Sequence, residues 1–274
     1  MSSSFVFTHR TDSGVRSSSN LADILLDWQG ENERWLFVAP HDDDIVLGAG
    51  LTLLAGVHHQ VDIACIVATD GRMGYCHLEQ QHTIAAIRQA ETLESFKRLG
   101  IPNDRLLMLN YPDGSLCSHA GRRFATKADT ATNIAGATGL QNSFTWALRS
   151  FQPNRVFLSV HTDLHPDHKM VHHEFLISVF HAQGAIWPEL GSPIPAIPRL
   201  YEYATYSDYA SPPDLRIQVS DDVLERKLEA FAVYKSQKQA DLVLQNLRQA
   251  GPQEYIREMA FDLIQPQKYD AMFA

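Results

Sequence analysis

Three cysteines in 274 residues, Cys65, Cys76 and Cys117, are too few and too irregularly spaced for a disulfide framework. They fit a reduced, cytoplasmic protein. No segment reaches the roughly 18 consecutive apolar residues of a membrane span. The opening Met1-Ser-Ser-Ser-Phe-Val-Phe has no basic stretch leading into an apolar one, so no secretory signal is read there. Positive charge is also short. Lys and Arg number 23 against 32 Asp and Glu, a formal net charge of −9. That balance argues against nucleic acid or an anionic membrane as the main partner, since both attract basic surfaces. Internal repeats and low-complexity tracts are missing as well. No glycine-rich phosphate loop follows the first apolar run, where three aspartates would repel phosphate; this disfavours a nucleotide-binding domain.

Apolar residues are plentiful, at 45%, enough for one sizeable core. Residues 1–20 are polar and Ser-rich and read as a loose N-terminal arm; 21–274 read as a single domain. Residues 21–28 suggest a short amphipathic helix. Then strand and helix patterns alternate. Strands are expected at Trp35–Pro40, Val61–Ala68, Leu106–Leu109 and Arg155–Val160. Helices are expected at Val46–Val57, Thr83–Leu99, Gly139–Phe151 and Pro166–Phe180, the last with Pro at its first position. Such alternation predicts an α/β fold with a mostly parallel sheet and helices on both faces.

Polar clusters follow each expected strand directly: His41-Asp42-Asp43-Asp44, Thr69-Asp70-Gly71, Asp113-Gly114, and His161 to His168. Ligands of open α/β sheets bind beyond the carboxyl ends of the strands, so four ends converge on one crevice. Imidazole and carboxylate are ligand types that zinc accepts. His41 and Asp44, three apart, supply two ligands, and a histidine of the second cluster supplies the third. Asp43 stays unligated and able to take a proton from water. One aspartate there would read as a helix cap. Three in a row after a histidine repel one another unless a cation is near. His172 and His173 read as surface or core histidines. Residues 115–138, with Arg122, Arg123 and Lys127, are a candidate lid whose basic residues read as a solvated face. Tyr75, His77 and His82 are weak candidates for the pocket wall.

These residues carry a family resemblance. Ala39-Pro-His-Asp-Asp-Asp44, with Gly48 and Gly50, resembles the His-Pro-Asp-Asp-Glu signature of the PIG-L/LmbE-like zinc deacetylases. His165-Pro166-Asp167-His168 resembles that family's second signature. Thr69-Asp-Gly71, Arg88 to Glu91 with Leu99-Gly100, Tyr111-Pro-Asp113-Gly114, and Lys227 to Gln237 fall in the family's order. Each is weak alone; six in order are specific, and they run from about Arg34 to about Gln237.

The resemblance implies a Rossmann-like domain and one zinc per chain, held by His41, Asp44 and His168. It implies Asp43 as general base. It makes His165 the group that stabilises the oxyanion or protonates the leaving amine, oriented by Asp167. Arg88 and Asp113 would contact the substrate. Removal of an N-acyl group, with acetyl the expected one, from an N-acetylglucosamine-type amino sugar or its conjugate is the implied activity. The alternatives are an amidase of a thiol-sugar conjugate or acylated glycoside antibiotic, and a non-catalytic sugar-binding module. The expected partner is thus a small amino sugar, with homo-oligomerisation left open. Two positions depart from the pattern: Asp42 stands where the family has Pro, and Ile45 where it has Glu.

Overall fold

The run from Arg34 to Ala39 is buried almost throughout, as an inner strand covered on both faces must be. A computed structural model describes residues 4–129 and 132–273. Residues 1–3 of the expected arm, 130–131 of the 115–138 stretch, and 274 lie outside the described residues. In chain order the elements are β1 (Phe5–Thr11), β2 (Gly14–Ser18), β3 (Arg34–Ala39), α1 (Asp44–His58), β4 (Asp62–Thr69), α2 (Ile84–Leu99), β5 (Leu106–Tyr111), β6 (Arg123–Phe124) and β7 (Ala137–Thr138). They continue as α3 (Leu140–Phe151), β8 (Arg155–Ser159), α4 (Pro166–Gln183), β9 (Arg199–Tyr203), β10 (Leu215–Val219), α5 (Asp221–Phe231), α6 (Ala240–Ala250) and β11 (Gln253–Met259).

Nine strands form one sheet in the order β2-β1-β10-β11-β9-β8-β3-β4-β5. From β9 to β5 every pairing is parallel. From β2 to β9 every pairing is antiparallel. The sheet is therefore mixed, and the expectation of a mostly parallel one is corrected. The expected loose arm is corrected too. Its residues 5–11 and 14–18 are a hairpin paired to β10, with Phe5 and Phe7 buried. β1 and β10 bury alternate residues on one face and β2 buries none, so they do not read as continuous apolar runs. The helix expected at 21–28 is only a 3-10 turn at Leu21–Asp23, and Asp27, at φ 54°, stands in a left-handed conformation that no helix continues.

Alternate residues of β3 enter different clusters. Trp35, Phe37 and Ala39 pack with Leu51 and Leu54 of α1, Phe96 of α2 and Phe231 of α5. Leu36 and Val38 pack with Phe144 and Leu148 of α3 and Val171 and Phe175 of α4. No helix among the described residues is long and apolar enough to cross a membrane.

Helix α1 is broken where it approaches β9. A Cβ on Gly48 would lie 2.5 Å from Tyr203 Cδ2 and 2.7 Å from the Ala204 carbonyl oxygen, so only glycine fits. The next residue, Ala49, leaves helical geometry at φ −139°, ψ 16°. In a regular helix the Leu51 N–H would bond to the Leu47 carbonyl. Here both groups find other partners. The Leu51 and Thr52 N–H groups donate to the Glu254 carboxylate at 2.8 and 2.9 Å. Lys227 Nζ donates to the Leu47 carbonyl at 2.8 Å and to Glu254 at 2.6 Å. A buried ion pair from α5 and β11 thus fills the gap in the helix that begins with Asp44.

Removing one partner of a buried pair leaves a bare charge, which costs about 3–5 kcal/mol. Lys227→Met is expected to lose that much stability in guanidinium unfolding. A loss below about 1 kcal/mol, the size of one ordinary hydrogen bond, would contradict this account of the break.

Candidate metal and catalytic site

Strand β3 ends at Ala39, and the chain turns sharply into α1. The Pro40 carbonyl in this turn accepts from both the N–H and the hydroxyl of Thr69, at 3.0 and 2.9 Å. That is the role of the Thr69 motif: it fastens the end of β4 to the turn that bears the histidine and aspartates. Asp70 supports the neighbouring loop, accepting from Arg72 and from the Asp113 N–H.

Three atoms then meet. His41 Nδ1 lies 3.2 Å from His168 Nε2 and 3.4 Å from Asp44 Oδ2. His168 Nε2 lies 3.3 Å from the same Asp44 oxygen. A tetrahedral zinc with bonds of about 2.0–2.1 Å holds its ligand atoms about 3.3–3.4 Å apart. The triangle has that size. Asp44 Oδ1 is buried and has no hydrogen-bond partner among the described residues. The far nitrogens of both rings face carboxylates: His41 Nε2 donates to Asp113 Oδ1 at 3.1 Å, and His168 Nδ1 lies 3.1 Å from Asp163 Oδ2. Carboxylates behind metal-binding histidines fix the tautomer and raise ligand basicity. The donor set and its surroundings therefore fit a zinc ion.

The electrostatics agree in direction. Burial by itself would pull the His41 pKa down, but hydrogen bonds to the carboxylates of Asp113, Asp167 and Asp44 outweigh it and push it well above the usual value. Burial opposes the charge on Asp44, yet His168 and His41 hold its carboxyl well below the normal range. The crevice favours positive charge at the centre of the triangle.

His165 begins α4. Its Nδ1 accepts from the Asp167 N–H at 3.2 Å, so in the neutral ring the proton sits on Nε2. Burial, together with nearby His41 and His168, holds its pKa below the usual value. The carboxylate of Asp167 points elsewhere than the sequence suggests. It accepts from the Gly114 and Leu116 N–H groups at 2.8 and 3.2 Å and lies 3.6 Å from His41 Nε2. It is the backbone of Asp167, at the helix start, that sets the His165 tautomer. Asp163, given no role from sequence, is fully buried and serves twice. It stands behind His168, and its Oδ1 accepts from the His165 N–H at 3.0 Å.

Asp42 and Asp43 face the opposite side of the turn. Arg88 donates to Asp42 at 2.6 Å and lies 3.7 Å from Asp43. Burial, opposed by Arg88 and helped by the Asp43 charge, pushes the Asp42 carboxyl up to about 6. The Lys227 to Gln237 pattern acquires a physical reason here. Tyr234 donates to the Asp42 carbonyl at 2.6 Å, Ser236 binds Glu91 of α2 through N–H and hydroxyl, and Gln237 donates to Asp43. Arg88 also stacks on the Tyr234 ring at 5.2 Å.

Above these groups opens a cavity of about 350 Å³, bordered by His41, Asp42, Asp43, Arg88, Asp113, His165, Tyr206 and Gln237, among others. That lies near the small end of ligand pockets, about 300–1,000 Å³. Its border mixes these charged and polar groups with apolar ones such as Leu47, Met73 and Val243, which suits a ligand with both kinds of surface. Arg88 Nε and Nη1 are buried and have no partner among the described residues. The described part of 115–138 does not border the cavity, and Arg122 and Arg123 pair with Glu189 and Asp129. Cys76 borders it, whereas Tyr75, His77 and His82 do not.

A family model described as PIG-L, GlcNAc-PI de-N-acetylase, matches residues 36–179, which include every group of the triangle. No curated protein matches the chain. Among solved structures the chain is similar to N,N'-diacetylchitobiose deacetylase from Pyrococcus horikoshii, at 25% identity and TM-score 0.65, covering 85% of this chain and 87% of that one. It is also similar to the conserved protein TT1542 from Thermus thermophilus, at 24% identity and TM-score 0.63, over 85% and 97%. A third likeness is 4-carboxy-2-hydroxymuconate hydratase from Pseudomonas putida, at 16% identity and TM-score 0.62, over 85% and 98%. The last two likenesses show the fold alone. A fold shared by a deacetylase and a hydratase leaves the reaction to be argued from the site.

A buried acceptor stripped of its donor costs about 1–3 kcal/mol. Tyr234→Phe, which bares the Asp42 carbonyl, is expected to lose that much stability in thermal or chemical unfolding. A change within about 0.5 kcal/mol, as at an ordinary surface position, would remove the tyrosine from the support of the turn.

Proposed function

The chain belongs to the PIG-L family, and on that premise we propose that it is a zinc-dependent amide hydrolase that removes an N-acetyl group from an N-acetylglucosamine-type sugar or its conjugate. The single observation that carries the reading is the triangle of His41 Nδ1, Asp44 Oδ2 and His168 Nε2, with sides of 3.2–3.4 Å, next to a cavity bordered by Asp43, Arg88, Asp113 and His165. The likeness to a chitobiose deacetylase supports the substrate class.

His41, Asp44 and His168 would hold the ion, and Asp113 and Asp163 would keep the two rings in the required tautomer. Zinc in that position supplies Lewis-acid polarisation and makes water a nucleophile at neutral pH. Asp43, outside the triangle and on the cavity wall, accepts the proton of the attacking water. Gln237 and Arg88 keep its carboxylate aimed and prevent it from turning towards the ligands. His165 presents Nε2–H to the amide: it donates to the carbonyl oxygen as charge develops there, or to the departing nitrogen. Arg88, with Nε and Nη1 unspent, donates to sugar hydroxyls. Asp113, shared between His41 and the cavity, accepts from one. A carboxylic acid and a free amino sugar leave.

The test is zinc content by elemental analysis, together with amine release from N-acetylglucosamine and N,N'-diacetylchitobiose. Wild type is expected to hold zinc in the triangle and release amine, and His168→Ala to lose both. Asp43→Ala should retain the zinc while kcat falls by about 10²–10⁴, the usual contribution of a general base. Full turnover in zinc-loaded Asp43→Ala would overturn the base assignment. A zinc-loaded wild type that releases no amine from N-acetylated sugars would overturn the activity. A folded chain that takes no zinc at His168 would favour a sugar-binding role instead.

A further inference from the structure

A second set of donors lies one helical turn from the first and shares none of its residues. His161 follows β8, His172 lies on α4 four residues after His168, and Glu202 lies on β9. One ligating atom from each lies within 4.8 Å of the others. Glu202 is fully buried, His172 is buried at 5% exposure, and His161 is half exposed, giving an ion a route in.

Each group is set in the form a metal needs. The Nδ1–H of His172 donates to the Ser159 carbonyl at 2.9 Å. That anchor places the proton on Nδ1 and leaves Nε2 with its lone pair. Glu202 divides its oxygens. Oε2 accepts from Arg257 at 2.6 Å, while Oε1 faces His161 Nδ1 at 2.7 Å and the His161 N–H at 3.3 Å. Arg257 therefore steadies the carboxylate without occupying the oxygen that faces the histidines.

An ion pair between His161 and Glu202 gives no reason for a third donor, a neutral imidazole held against a buried carboxylate. We propose that His161, His172 and Glu202 form a second divalent-metal site of the zinc class, two nitrogens and one oxygen with further positions open to water. The ion replaces the proton between His161 Nδ1 and Glu202 Oε1. Ligand atoms on a tetrahedral zinc stand about 3.3 Å apart, so that pair opens by about 0.6 Å. Rotation of the half-exposed His161 ring is enough.

Equilibrium dialysis of the full chain against Zn²⁺, after chelator treatment, counts the ions. Wild type is expected to take two per chain, His161→Ala one, and Asp44→Asn one. His172→Gln should match His161→Ala, and the half-exposed His161 position guards against loss of fold as the explanation. One ion in wild type, retained in His161→Ala and lost in Asp44→Asn, would overturn the second site. One ion lost in His161→Ala but retained in Asp44→Asn would uphold it and instead defeat the triangle as a metal site. Two ions retained in both His161→Ala and His172→Gln would place the second ion elsewhere and overturn the proposal.

Discussion

Buried negative charge is the constraint on which this structure rests. Asp42, Asp43, Asp44, Asp163 and Asp167 are each at most 5% exposed, and all belong to the loops and helix starts beyond the carboxyl ends of β3 and β8. Uncompensated carboxylates at that depth would take up protons or unfold the loop. Two compensations divide the group. Arg88, lying on the Tyr234 ring, faces Asp42 and Asp43. His41 and His168, backbone N–H groups and a place of zinc-ligand dimensions answer Asp44, Asp163 and Asp167. The two halves of the turn are thereby separated by charge as well as by direction. The carboxylates at neighbouring positions 43 and 44 thus have different partners, Arg88 and Gln237 for one and the two histidines for the other.

The departures from the family pattern follow the same logic. Ile45, where a carboxylate is usual, is fully buried in the apolar cluster under α1. One negative charge is missing from the interior at that point. Asp42, where proline is usual, adds one on the Arg88 side, and one Arg88 nitrogen binds it. The Nε and Nη1 of the guanidinium have no partner among the described residues.

What could be read from sequence follows the kind of interaction involved. Strands β3, β4 and β8 were legible because a two-faced inner strand is a continuous apolar run, the edge strand β5 because its residues 106–109 are all apolar, and helices α1 to α4 by their apolar spacing with Gly100 closing α2 and Pro166 opening α4. The hairpin of β1 and β2 was not, since it buries one face among serines. His41, Asp44 and His168 were legible because motif spacing brings them to adjacent strand ends. Asp163 and Glu254 were not, because their meaning lies in partners that only the fold supplies: the His168 ring, and the amides of a broken helix 203 residues away. Asp167 shows a subtler limit. Spacing placed it beside His165, but the choice between carboxylate and backbone N–H depends on the Gly114 and Leu116 amides waiting on another loop.

The break in α1 also orders events in time. Leu47 waits 180 residues for Lys227, and Leu51 waits 203 for Glu254. At synthesis rates of about 5–20 residues per second, the wait for Glu254 lasts about 10–40 s. From His168 onwards, the last 86 residues before Glu254, the nascent chain already carries His41, Asp44 and His168, but the helix that begins with Asp44 has no plug for its gap. The ribosome therefore releases the last fastening of the helix well after His41, Asp44 and His168. Any ion caught earlier would meet a loop not yet held to its final shape.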